Sequence, residues 1–157
     1  MKRKQFKSLK ILLPVLFSAF VLVSCDKDDD GPKLRFVDKN LEEVGDSGFT
    51  GSIRLSENSD QSFNIRVIMD TTVNGETHLV ELVNGTTDEP GEVALNLKEI
   101  EGTGGKVTVD NNNIKKIKIG SDSVDVNYNS FLEKSTFIRV IYSEDYPDSV
   151  IAVGRFK

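Results

Sequence analysis

The chain has 157 residues, with 20 Lys and Arg against 25 Asp and Glu, a formal net charge of −5, one Cys, one His and no Trp. That length suits one domain of modest core. A lone Cys excludes an intrachain disulfide framework and a multi-thiolate zinc site, and the acidic balance excludes the basic footprint of a nucleic-acid binder.

The first ten residues, MKRKQFKSLK, carry five positive charges and no acid, and the next thirteen, ILLPVLFSAFVLV, are almost wholly apolar. A basic stretch followed by a short apolar run is the pattern of an export signal. A helix that spans a bilayer needs roughly 20 apolar residues, so this run reads as a signal peptide and not as a permanent span. It ends Leu22-Val23-Ser24-Cys25, which resembles the lipobox of bacterial lipoproteins. The resemblance implies that residues 1–24 are cleaved and that the Cys25 thiol carries a diacylglycerol, with the membrane as a partner through that anchor. Each buried CH₂ of an acyl chain contributes about 0.8 kcal/mol, and stable anchoring takes more than one chain. Bacterial lipoproteins carry two or three.

Residues 25–32 follow as an acidic tether. Its like charges repel and leave nothing apolar to bury, so it has no reason to fold. Asp26, Asp28, Asp29 and Asp30 resemble the acidic cluster that directs lipoproteins of the Bacteroidota to the cell surface. That resemblance implies an outer-membrane, outward-facing address. The same aspartates with Gly31 match the start of an EF-hand loop, but its twelfth position requires Glu and holds Val37. Without the leader, 15 basic and 25 acidic side chains remain, a net charge of −10. Adsorption to anionic lipid beyond the anchor is therefore disfavoured.

Beyond the tether, short apolar runs alternate with turn residues. KLRFV (33–37) reads as a strand. FTGSIRL (49–55) places Phe49, Ile53 and Leu55 on one face, with Gly51 as a candidate bulge. QSFNIRVIM (61–69) alternates most clearly, with Phe63, Ile65, Val67 and Met69 inward and Asn64 and Arg66 outward. Asn74-Gly75 is a hairpin signal before THLVELV (77–83), and Asn84-Gly85 ends that strand. EVALNLKEI (92–100) fits a strand through Val93, Leu95 and Leu97, or a helix face through Val93, Leu97 and Ile100; the β context favours the strand. KVTV (106–109), IKKIKI (114–119) and SVDVNY (123–128) read as three more strands. STFIRVIYS (135–143) is apolar on both faces, which predicts a central strand. SVIAVGRF (149–156) closes the chain after the turn at Pro147.

Nine or ten strands at this spacing, with no helix pattern beyond the leader, predict an all-β fold, an antiparallel β-sandwich over residues 33–157. The segment Leu34 to Leu55, with its early Phe, acidic turn and Ile-Arg-Leu, resembles Calx-β and other immunoglobulin-like modules, as does KVTVDNNNIKKIKI. This likeness implies the sandwich. The spaced acids through which Calx-β domains hold calcium have no match here, so no metal and no cofactor is expected.

Chemistry-bearing motifs are sparse. His78, in THLVEL, reads as a partly exposed strand residue. Gly104-Gly105-Lys106 lacks the first Gly and the Ser or Thr of a phosphate loop, and no nucleophile elbow occurs. Asp70-Thr71-Thr72, Asp122-Ser123-Val124 and Asp148-Ser149-Val150 match the short motif that Bacteroidota use for O-glycosylation, with Thr71, Ser123 and Ser149 as acceptors. Turn-initiating Asp-Ser pairs explain them equally well. The reading as a whole is a non-catalytic, surface-anchored lipoprotein that binds an extracellular protein or glycan. The rivals are a lipid-anchored hydrolase using paired carboxylates and a structural component of an envelope or pilus assembly.

Overall fold

The computed structural model describes residues 33–157. The expected signal peptide (1–24), the anchor Cys25 and the tether with Asp26, Asp28, Asp29 and Asp30 lie outside the described residues.

Alternation in the sequence becomes register in the fold. Strand β1 runs Phe36–Glu43, β2 Gly51–Glu57, β3 Phe63–Met69, β4 Thr77–Gly85, β5 Pro90–Asn96 and β6 Ile100–Glu101. Then come β7 Val107–Ile114, β8 Lys116–Ile119, β9 Asp122–Asp125, the short helix α1 Tyr128–Leu132, β10 Thr136–Ile141 and β11 Val150–Arg155. In β3, Phe63, Ile65, Val67 and Met69 are fully buried while Arg66 is exposed. A β-strand turns successive side chains to opposite faces, so one face can be wholly apolar.

The expected all-β, antiparallel sandwich is present. Its two layers are halves of one continuous sheet, ordered β5-β4-β10-β11-β1-β2-β3-β7 and curled into a half-barrel. Inward residues of β1, β2 and β3 face those of β4, β10 and β11 across one core, in which Leu41, Ile53 and Leu55 belong to the same cluster as Val80, Leu82, Ile138 and Val140. Burying each such side chain stabilises the fold by about 1.5–3 kcal/mol. Phe131 of α1 packs with Phe63 (ring centroids 4.7 Å apart) and with Phe156 (5.1 Å).

The halves join where β1 meets β11, through the pairs Glu42↔Val153 and Glu43↔Ala152. Two further bonds end on the Ile151 carbonyl there, from Val44 N–H (3.1 Å) and Ser47 Oγ (2.7 Å). Strand β10, expected to be central, lies between β4 and β11 and buries residues on both faces. The β8–β9 hairpin stands apart from the main sheet, held by buried Ile117 and by a bond from Asn84 Nδ2 to the Lys118 carbonyl (2.9 Å).

Four expectations need correction. The first strand starts at Phe36 and extends through the charged residues to Glu43. The strand at 107 likewise continues through three asparagines to Ile114. The run 123–128 is divided, because Asn127 caps a helix: its side chain accepts from Ser130 N–H while Ser130 Oγ accepts from Asn127 N–H. This reciprocal capping turns Tyr128 into the first residue of α1. Gly51 forms no bulge and pairs regularly with Leu41 and Met69. The segment 92–100 is a strand to Asn96, as favoured, with Ile100 separately paired to His78.

Ile65→Asp tests this register. It places an unpaired carboxylate in the core and should cost about 3–5 kcal/mol. Thr108→Asp, exposed on neighbouring β7, should cost almost nothing. Thermal melts by circular dichroism should show a drop of more than about 10 °C for the first variant alone. Equal melting temperatures would refute the inward placement of Ile65.

Candidate functional site

On the half of the sheet made by β4, β10, β11 and β1, the outward face is partly apolar. Phe137 and Arg139 of β10 point outward, as do Val153 and Arg155 of β11. The register pairs Phe137 with Arg155 and Arg139 with Val153. Two guanidinium groups and two apolar side chains therefore occupy opposite diagonals of one patch. Val83 stands across from Phe137 on β4. Val83, Phe137 and Val153 form a second cluster outside the main core, with Val150 packed against it.

These outward residues are buried by a turn folded over them. Gly85, at φ 92°, takes a left-handed conformation that suits glycine, and the chain turns back at Thr86–Glu89 through a bond from Thr86 N–H to the Glu89 carbonyl (3.2 Å). Arg155 ties the turn down, with Nε on Thr87 Oγ1 (3.0 Å), and reaches the other way with Nη1 on Glu42 (2.8 Å). Arg139 Nε donates to Glu81 at 2.6 Å in a pair that is mostly sheltered from water. Among the described residues, the bonds made by Arg139 use Nε alone, so both of its Nη groups remain free to donate.

Between the turn and the β1–β11 seam lies an open groove of about 420 Å³. Its floor is Phe137, Val150 and Val153; its rim holds Arg139 and Arg155 on one part and Glu42, Glu43 and Asp88 on another. An apolar floor with a few oriented polar groups is the usual form of a ligand site. Both charge signs and an apolar surface together suit an amphipathic occupant.

Among the described residues, every displaced carboxylate is displaced downward. Hydrogen bonds from Arg54, Arg35 and Arg66 hold Asp38, Glu57 and Asp110, respectively, below their ordinary values. Asp60 is lowered from 3.8 to about 2, first by the Ser62 hydroxyl and then by Lys115. A general acid needs the opposite shift, one that keeps its proton near neutral pH.

The residues singled out in the sequence are dispersed. Thr71, Ser123 and Ser149 are all exposed, on the connection after β3, on β9 and in the turn before β11. Thr72, beside the first of these, is buried: its hydroxyl donates to the Gly105 carbonyl (2.8 Å) and accepts from Thr103 N–H (3.0 Å). The loop that superficially matched a phosphate cradle is pinned by those bonds, and its Lys106 pairs with Asp70 at 3.1 Å. His78 is fully buried, not partly exposed. Its Nε2 accepts from Val73 N–H (3.3 Å), so its Nδ1–H donates to the Tyr142 carbonyl (2.6 Å). Phe49 and Tyr142 pack edge-on against the ring. This histidine bridges two segments of backbone.

Sequence reading missed the groove, although the two-sided apolar pattern of 135–143 held its signal. Compared with protein families, curated proteins and solved structures, the chain matches none of them.

The lowered Asp60 carboxyl makes stability depend on pH. A carboxyl lowered in the folded state adds stability that is complete above its unfolded value near 3.8 and is lost as pH falls through about 2. A carbon-detected NMR titration should place the Asp60 midpoint near 2. Ser62→Ala, which removes the largest cause, should raise it. A wild-type midpoint at the ordinary value would remove the claimed hydrogen bond.

Proposed function

We propose that this protein is a non-catalytic binding module, anchored by lipid on Cys25, presented at the cell surface, and using the β10–β11 groove to hold an extracellular partner. The outward apolar residues Phe137, Val150 and Val153, lining the groove beneath two part-free guanidinium groups, carry the reading. A sheet face turned to water is expected to be polar along alternate positions, and this one is apolar where the groove opens. The lipobox-like Leu22-Val23-Ser24-Cys25 and the aspartates after it support the anchor and the address.

The rivals draw less support. A carboxylate hydrolase would need an acid that retains its proton, and the displaced carboxylates go the other way. Assembly by strand addition would need a long bare edge. Of the two ends of the sheet, β5 is flanked by the β8–β9 hairpin, while β7 pairs only with β3 and its outer side meets a single side-chain bond, from Lys98 N–H to Asn111 Oδ1 (2.7 Å), so support for this rival rests on β7 alone.

Cys25→Ser should abolish incorporation of labelled palmitate. Replacing Asp28, Asp29 and Asp30 by Ala should keep the label yet protect the protein from protease added to intact cells. Palmitate incorporation at the wild-type level in the first variant, or shaving at the wild-type rate in the second, would contradict the anchor or the address respectively.

The groove is tested separately with 1-anilinonaphthalene-8-sulfonate, an aromatic anion matched to Phe137 and the arginines. Its fluorescence should rise on the native full chain in buffer with a nonionic detergent below micelle-forming concentration. Val44→Asp at the groove rim should remove that rise, and Ile119→Asp, on the β8–β9 hairpin and outside the groove lining, should leave it intact. Identical signals from the two variants would mean that the groove does not bind the probe.

A further inference from the structure

The outward face of the other half of the sheet is built differently. One cross-strand row reads Asp38↔Arg54↔Arg66↔Asp110, over β1, β2, β3 and β7. The two arginines are neighbours and would repel each other. Each instead turns to its flanking aspartate in a two-bonded pair, Arg54 to Asp38 at 2.6 and 2.7 Å and Arg66 to Asp110 at 2.7 and 3.2 Å. Arg35 pairs with Glu57 in the same manner, at 2.8 and 2.7 Å. Three cations and three carboxylates pair off across this patch on an otherwise acidic body, with Lys98 close enough to act on Asp110 from its edge.

Beside the row stands Phe36, 59% exposed and among the most exposed large apolar residues described. The Arg54 guanidinium lies over its ring, 4.6 Å from the centroid. One ring face is thus backed by a fixed cation and the other meets water. Asn58 and Asn64 are locked by reciprocal amide bonds, both 2.9 Å. Together with Ser56 and Asn112 they complete a shallow depression of about 610 Å³.

We propose that this face is a second binding site, distinct from the groove, and that its ligand is an uncharged polysaccharide. Charge decides the class. An anionic ligand would have to take an arginine from its carboxylate, and a cationic one would have to do the reverse; either exchange forfeits a two-point charged bond. A sugar hydroxyl both donates and accepts, so it can bridge a guanidinium N–H and a carboxylate oxygen without separating them. The open face of Phe36 is electron-rich and suits the weakly positive C–H face of a pyranose ring. Immobilised polar groups lose little freedom when a ligand arrives.

The test uses the full chain in nonionic detergent on native gels cast with laminarin, xyloglucan, arabinoxylan, galactomannan or dextran, and with polygalacturonate as the charged comparison. At least one neutral polymer should retard the protein. Phe36→Ala should weaken that retardation by roughly tenfold; Phe36→Tyr should preserve it, and Val44→Asp in the groove should not change it. Phe36 is exposed, so its replacement leaves the core untouched, and an unchanged melting temperature checks this. The proposal is overturned by no retardation in any neutral polymer, by retardation in polygalacturonate alone, or by retardation that survives Phe36→Ala unchanged.

Discussion

Ile53 and Leu41 occupy the space in which a side chain at position 154 would stand. A methyl group on Gly154 would collide with Ile53 Cδ1 and crowd the Asn40 carbonyl and Leu41 Cδ1. With Ala152, Gly154 keeps the inner face of β11 almost bare at the point where the sheet turns. Side chains from β1 and β2 fill the gap, which brings one half of the sheet over the other and closes the core. Without that bare stretch the two halves could not approach, and the inward residues of β3 would have nothing to pack on. The short β1–β11 register is the backbone counterpart of the same closure.

Closure gives the molecule two outer faces of opposite character. The face over β1, β2, β3 and β7 is a lattice of paired charges with every ion pair near water, where such pairs contribute little stability each. Its worth lies in fixed geometry. The face over β10 and β11 keeps its most sheltered pair, Arg139 with Glu81, next to an apolar floor that a turn half covers. The first presents neutral hydrogen-bonding groups held in place; the second presents a hydrophobic slot with charge at its rim. One small sheet thus offers two chemically unlike surfaces, and the pairing register places both.

Much of the fold could be read from the sequence because its inward positions alternate cleanly. Residues 61–69 announce β3, and the two-sided apolarity of 135–143 announces a strand with neighbours on both sides and cover on both faces. The misreadings share a cause: polar side chains whose partners are remote in sequence. Asn111 is an unpromising strand residue until its side chain meets Lys98 N–H and, at 3.4 Å, the Ile65 carbonyl. Asp38 and Glu42 look like loop residues until Arg54 and Arg155 arrive from other strands. His78 is buried because Val73 N–H and the Tyr142 carbonyl, the latter 64 positions away, occupy its two nitrogens. The capping of α1 used Ser at the third helical position, where sequence rules look for Glu or Gln. The groove needed the turn at 86–89 to fold back over β10, which no local pattern encodes.

The β1–β11 seam also sets how the domain would carry force. Strand β1 is the first strand among the described residues and lies in the interior of the sheet, bonded to β2 along six residue pairs but to β11 along two. A pull entering through β1 and resisted by something held on the β2 and β3 face would load the long β1–β2 ladder. The same pull resisted at the β10–β11 groove would have to cross the two-pair seam, reinforced by the bonds from Val44 and Ser47 to Ile151. The two surfaces therefore differ in the tension they could withstand, and the seam is the mechanical fuse between them.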